Sequence, residues 1–170
     1  MLLKIEKYKD INERKLMDVY AESNFENVEY FFPDEKDISV GVKKVEEGFL
    51  NFLKNDFFRK EKATYWVLEE NGVWVSATRT CFIKPDILYL EALETMPKER
   101  NKGYGYKLLS LMIEEVKKEG NLRICDCVSK KNIASLKTHE KCGFKIVSDK
   151  GNDYLNNDID GHCFSLEFKC

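Results

Sequence analysis

The run Arg100-Asn101-Lys102-Gly103-Tyr104-Gly105 sets two glycines among basic side chains, and Lys98 and Lys107 add charge on either side. It follows an apolar, strand-like run from Ile87 to Leu93 and precedes Leu108, Leu109, Met112, Ile113 and Val116. Those five positions recur at about 3.6 residues per turn, the pattern of one helix face. Gly103 and Gly105 carry no side chain that could obstruct a ligand. The first turn of a helix leaves N–H groups without partners and also carries the positive end of the helix dipole. Such a turn favours an anion, above all a phosphate. Just upstream stand two carboxylates, Glu91 and Glu94, either of which can act as a general base. Their odd spacing assigns them to opposite faces of a strand unless a bulge intervenes.

Several kinds of protein use phosphate loops of this sort. A dinucleotide fingerprint needs a third glycine where Leu108 stands, and a P-loop needs Gly-Lys-Ser/Thr where Gly105 is followed by Tyr106-Lys107. A second stretch bears on the choice: Asn132-Ile-Ala-Ser135-Leu-Lys-Thr-His139-Glu-Lys-Cys-Gly143-Phe144. Asn132 has the chemistry of a helix N-cap, Gly143 that of a C-cap, and Phe144 follows as an apolar anchor. A strand-like run, Leu122 to Val128, separates the two stretches. In this order they resemble the acetyl-CoA loop and the following asparagine-led helix of the GNAT N-acetyltransferase superfamily, over about residues 64 to 147.

That resemblance implies a GNAT-like fold, with acetyl-CoA as co-substrate and its diphosphate held by Arg100, Asn101, Lys102, Gly103, Tyr104 and Gly105. It implies that the pantetheine arm runs beside Leu93, Glu94 and Thr95, and that one backbone N–H there polarises the thioester carbonyl. Asn132, with Ser135 near it, contacts the arm from the opposite strand. The acceptor is then a primary amine, on a small molecule or a peptide N-terminus, which attacks directly in a ternary complex. Glu91 is the first choice for the general base because it precedes the arm-binding segment, and Glu94 is the reserve. His139 stands where family members carry a Tyr that protonates the departing thiolate, and it inherits that role as a candidate. Two readings from other classes stay open: a non-catalytic acyl-CoA-binding or regulatory domain, and a nucleotide-binding module using the same loop.

The surrounding elements must position these groups. Leu3 to Ile5 reads as a strand, and Asp10 as the cap of a helix bearing Ile11, Leu16, Val19 and Tyr20. From Phe25 to Asp37 the chain is acidic and aromatic, and reads as a connection that would help form an acceptor site. A second helix runs from about Val42 to Phe57 with Val45, Phe49, Phe52 and Leu53 on its apolar stripe. Asn71-Gly72 between two apolar runs predicts a hairpin. The order of elements predicts one α+β domain over residues 1–170, a mostly antiparallel mixed sheet with helices on both faces, and the GNAT resemblance implies that the sheet is splayed between its two central strands.

Composition narrows the classes further. Across 170 residues, 28 basic side chains nearly balance 30 acidic ones, so net charge implies no nucleic-acid partner. No apolar run reaches the length of a membrane span. The opening residues lack the apolar centre of a signal peptide, so the six cysteines read as reduced thiols in a cytoplasmic protein. Cys125-Asp126-Cys127 is too tight for a zinc pair, and no metal is expected. Asn156, Asp158, Asp160, Gly161 and Glu167 fall at calcium-loop spacing, but the alternation Phe164, Leu166, Phe168 beyond them reads as a strand, where an EF-hand needs a helix. A long hairpin loop fits that stretch better.

Overall fold

The computed structural model describes residues 1–155 and 157–170. Its elements in chain order are β1 (Leu2–Ile5), α1 (Glu13–Val19), α2 (Ala21–Phe31), α3 (Ile38–Asn55), β2 (Thr64–Glu70), β3 (Val73–Lys84), β4 (Ile87–Thr95), α4 (Tyr104–Val116), β5 (Arg123–Ser129), α5 (Ile133–Lys141), β6 (Lys145–Ser148), β7 (Gly151–Asp153), β8 (Asp158–Asp160) and β9 (Cys163–Lys169). Seven strands form one sheet in the order β1-β2-β3-β4-β5-β9-β6. All neighbours run antiparallel except β4 and β5. Among the described residues no helix is long and apolar enough to cross a membrane.

Alternation along the central strands divides the core into two layers. Trp66, Leu68, Val75, Leu88 and Leu90 pack beneath Leu108, Leu109, Met112 and Ile113 of α4. Tyr65, Val67, Ala77 and Cys81 point the other way, against Leu16 and Val19 of α1 and Leu53 of α3. The helices thus cover both faces, the arrangement expected from the apolar stripes. Asn71 and Gly72 both have positive φ, 52° and 79°, and join β2 to β3 through the tight turn that Asn-Gly favours.

The N-terminal third differs in detail from the sequence reading. The cap of α1 is Asn12, whose side chain accepts from the Lys15 N–H, and Asp10 belongs to a short 3-10 turn before it. The expected connection around Phe25 is helical: α2 runs from Ala21 to Phe31 and stops where Phe32 meets Pro33, as a residue before proline tends to. Packing drives this helix, because Val28 is buried against Gly41, where a Cβ would stand 2.4 Å from Val28 Cγ1. Asp37 then caps α3, accepting from the Ser39 and Val40 N–H groups, so this helix begins four residues earlier than its apolar stripe suggested. In the tail, β7 and β8 form a two-stranded hairpin. Asn156, the first position of the calcium-like spacing, lies outside the described residues.

Candidate active site

The site begins as a break in the sheet. β4 and β5 pair over only three positions, from Ile87 with Arg123 to Tyr89 with Cys125. Beyond them no pairing joins the two strands among the described residues, and β4 continues to Thr95 paired with β3 only. The loop after β4 turns through Asn101, at φ 61°, and Gly103, at φ 80°, into α4. No side chain caps this helix, and its first backbone bond runs from the Lys107 N–H to the Gly103 carbonyl. The N–H groups of Tyr104, Gly105 and Tyr106 therefore have no acceptor within the helix. The two glycines do different work. A Cβ on Gly103 would meet open space, so its requirement is the left-handed backbone. A Cβ on Gly105 would come within 3.3 Å of Thr95 Oγ1, so this glycine lets the helix start press against the end of β4.

Opposite this turn, β4 carries the bulge that decides where Glu91 and Glu94 point. Ala77 pairs with Glu94 and Arg79 with Glu91, so a two-residue step on β3 faces a three-residue step on β4. The extra residue is Ala92, at φ 55°. It brings both carboxylates to the face covered by α1, α2 and α3, whereas Leu93 packs into the α4 layer. A bulge disrupts ladder bonding, and three buried hydroxyls serve the carbonyls here. Thr78 donates to the Glu91 carbonyl (2.9 Å), Tyr20 to that of Ala92 (2.6 Å) and Ser76 to that of Glu94 (2.6 Å). Tyr65 in turn donates to the Tyr20 oxygen (2.9 Å), and burial pushes the Tyr20 phenol well above its ordinary pKa.

The two carboxylates meet different surroundings. Glu91 Oε1 lies 2.7 Å from Arg79 Nε, and the Arg79 side chain is only 11% exposed. The guanidinium also stands 4.9 Å from the Phe52 ring centre. Glu94 instead lines a cavity of about 770 Å³ enclosed by α2, α3 and the bulge, with Tyr20, Ser23, Phe49 and Phe52 among its walls. Its carboxylate accepts from the Ser23 hydroxyl at 2.6 Å and lies 3.7 Å from Arg100 Nη2. Burial raises the Glu94 carboxyl above its ordinary value, with Ser23 and then Arg100 pulling it back down. Arg100 ties the end of β4 to α2, since its Nε donates to the Thr95 carbonyl and its guanidinium pairs with Glu22.

Lys102 is paired with Glu99 at 2.8 Å and stays exposed at the loop. Across the gap, Asn132 caps α5 by accepting from the Ser135 N–H at 3.0 Å. His139 is fully buried and does not reach the gap. Its ring packs edge-on against Phe144, with Nδ1 2.8 Å from the Ser135 carbonyl. Nε2 lies 2.8 Å from Asp126 Oδ2, close enough for an ion pair but without an aligned hydrogen bond. Burial alone would lower the imidazole pKa, and the Asp126 carboxylate with the Ser135 carbonyl more than offsets it, leaving it raised.

Sequence reasoning missed Tyr20, Ser23 and Arg79 at this site. Arg79 had a signal: a lone cation inside an apolar strand needs a buried counter-charge. Ser23 had none, because a serine on an exposed-looking acidic stretch is unremarkable by itself.

The fold recurs in known proteins. The structure superposes on a paia N-acetyltransferase from Thermoplasma acidophilum, solved in complex with coenzyme A, at a TM-score of 0.65. The two share 18% identity over 100% of this chain and 99% of that one. An acetyltransferase from Streptococcus agalactiae matches at a TM-score of 0.64 with 20% identity, over 99% and 98% of the two chains. The ribosomal-protein-S18-alanine N-acetyltransferase of Escherichia coli matches at 0.61 with 18% identity, over 99% and 94%. No curated protein matches by sequence. The family model described as the acetyltransferase (GNAT) family matches residues 16–144. The chain belongs to the GNAT acetyltransferase family, whose co-substrate is acetyl-CoA.

Proposed function

We propose that the protein is an N-acetyltransferase that moves the acetyl group of acetyl-CoA to a primary amine, on a small molecule or a peptide N-terminus, by direct attack in a ternary complex. The observation that carries this reading is the bulge at Ala92, which aims a half-buried carboxylate into a cavity beside the opened strand pair. The residues fit the co-substrate. The free N–H groups of Tyr104, Gly105 and Tyr106, with Arg100, Asn101, Lys102 and Gly103, suit a diphosphate. Leu93, Glu94 and Thr95 offer backbone groups to the pantetheine arm from one side of the gap, and Asn132 and Ser135 offer polar groups from the other. When bound, acetyl-CoA supplies an activated thioester carbonyl.

Glu94 is the general base in this reading, in place of Glu91. An alkyl ammonium has a pKa near 10, so freeing its lone pair at neutral pH costs about 4 kcal/mol. Glu94 takes that proton from within the cavity, helped by the burial that raises its own affinity for protons. Glu91 is held by Arg79 and neutralises a buried cation. A backbone N–H of Leu93 or Glu94 steadies the oxyanion. His139, sealed in the core, positions α5 against β5 and donates no proton to the leaving group. A free thiol titrates near about 8.5, so a departing thiolate needs little help. Steady-state release of CoA with a panel of amines tests the proposal. Binding of CoA without release, across amines, amino acids and peptide N-termini, would point instead to a non-catalytic acyl-CoA-binding domain.

A further inference from the structure

Resting on the proposed transfer to an amine at Glu94, we infer that the acceptor carries a single apolar, ring-sized body, and that Gly48 sets the depth open to it. The helix α3 contains two glycines, and glycine weakens a helix interior. Gly41 has a packing reason, its close approach to Val28. Gly48 has no such reason. A Cβ there would find nothing within 4 Å, yet the residue lines the cavity that holds Glu94. The missing side chain therefore leaves room that no part of the protein fills.

Apolar side chains make up much of the wall around that room, Phe31, Phe32, Val45, Phe49 and Phe52, with Asn24 and Asn27 beside them. Phe31 is 58% exposed, so an apolar lip leads inward from the surface. Aromatic faces can also attract cations, which would open the cavity to polyamines. Here the protein's own cations already stand over three of them. Lys44 Nζ stands 5.6 Å from the Phe32 centroid, and the Arg79 guanidinium lies 5.5 Å from that of Phe49 and 4.9 Å from that of Phe52. Both cations line the same cavity, and Glu94 is the one carboxylate among the described residues lining it. Arg79 and Lys44 are already paired, with Glu91 and Glu35, so a first ammonium meets Glu94, whereas a second finds no carboxylate among the described lining residues.

The experiment compares kcat/KM for ethylamine, 2-phenylethylamine and spermidine in the wild type and in Gly48→Leu. Phenylethylamine should exceed both other amines by about tenfold or more, since a hydrophobic pocket discriminates by roughly that factor for small increments of buried surface. Gly48→Leu should cost phenylethylamine about tenfold and change ethylamine less than about threefold. Gly48→Ala, with a Cβ in open space, should raise Tm and so report on folding separately from selection. Spermidine turned over faster than phenylethylamine by the wild type would overturn the inference, with no variant needed. An equal effect of Gly48→Leu on both monoamines would overturn it too. Absence of CoA release with every amine would instead remove the transferase reading on which it rests.

Discussion

Glu94→Gln tests the site most directly, because the variant keeps the shape of the side chain and removes its ability to take a proton. The Ser23 hydroxyl, 2.6 Å from the carboxylate, can still donate to the amide oxygen. Arg100 loses a contact at 3.7 Å and retains its pairing with Glu22. The fold should therefore change little, and the dissociation constant of CoA should stay within about threefold. General-base catalysis contributes about 100- to 10,000-fold, so kcat should fall at least about a hundredfold. The wild-type kcat/KM profile should fall on the acid side as Glu94 takes a proton. Because burial raises this group, the limb should lie above the usual carboxylate range near about 4.3. That limb should vanish in Glu94→Gln. Glu91→Gln is the matched control. It strips the counter-charge from Arg79, and breaking a buried pair costs about 3–5 kcal/mol. With the Glu91 side chain 20% exposed, the loss should be smaller than that. It should appear as a lower Tm with kcat changed only severalfold. If Glu91→Gln abolishes turnover while Glu94→Gln keeps it and its acid limb, the assignment of the base is wrong.

Three other perturbations probe the supports of the site. The raised imidazole of His139 contributes stability that is fully present below its unfolded value, about 6.5, and is lost as pH rises through the higher folded value. Asp126→Asn removes the attraction and leaves burial opposed only by the Ser135 carbonyl, so the fall of Tm with rising pH in this range should flatten or reverse. A slope unchanged by the substitution would show that the pair is not ionised. Gly41→Ala should destabilise by about 1–3 kcal/mol, because the new Cβ would stand 2.4 Å from Val28 Cγ1, and chemical denaturation would measure the loss. Tyr20→Phe leaves the Ala92 carbonyl and the Tyr65 hydroxyl without a shared partner, a cost of about 1–3 kcal/mol. Calorimetry should find Tm lowered by roughly 2–4 °C for each kcal/mol. An unchanged Tm would mean that the hydroxyl chain does not secure the bulge.

The parts of this protein legible in the sequence are those set by local chemistry. The glycine turn, the five-residue stripe of α4, the Asn-Gly hairpin and the Asn132 cap each depend on residues within a turn or two, and each stands where the pattern indicated. The base and the acceptor cavity depend instead on contacts between residues far apart in the chain. Glu91 and Glu94 are chemically alike, and what distinguishes their surroundings is Arg79 beside Glu91 and Ser23 and Arg100 beside Glu94. His139 is fully buried, and its partner Asp126 lies on β5, outside the motif in which the histidine stands. The helical state of 21–31 was hidden because Asn24, Phe25, Asn27, Val28, Tyr30 and Phe31 dilute the helix-favouring Ala21 and glutamates, and packing on α3 decides the matter.

The bulge itself was written in the spacing of β4. Leu88, Leu90 and Leu93 all belong to the α4 layer, yet the last step is three residues where a regular strand allows two. The carboxylates repeat the discord, since Glu91 and Glu94 are also three apart. In a regular strand with Leu90 kept inward, Leu93 would turn to the cavity and Glu94 would enter the apolar layer against α4. That would bury a charge among leucines, a cost that far exceeds one residue of left-handed backbone at Ala92. One inserted residue satisfies both patterns together.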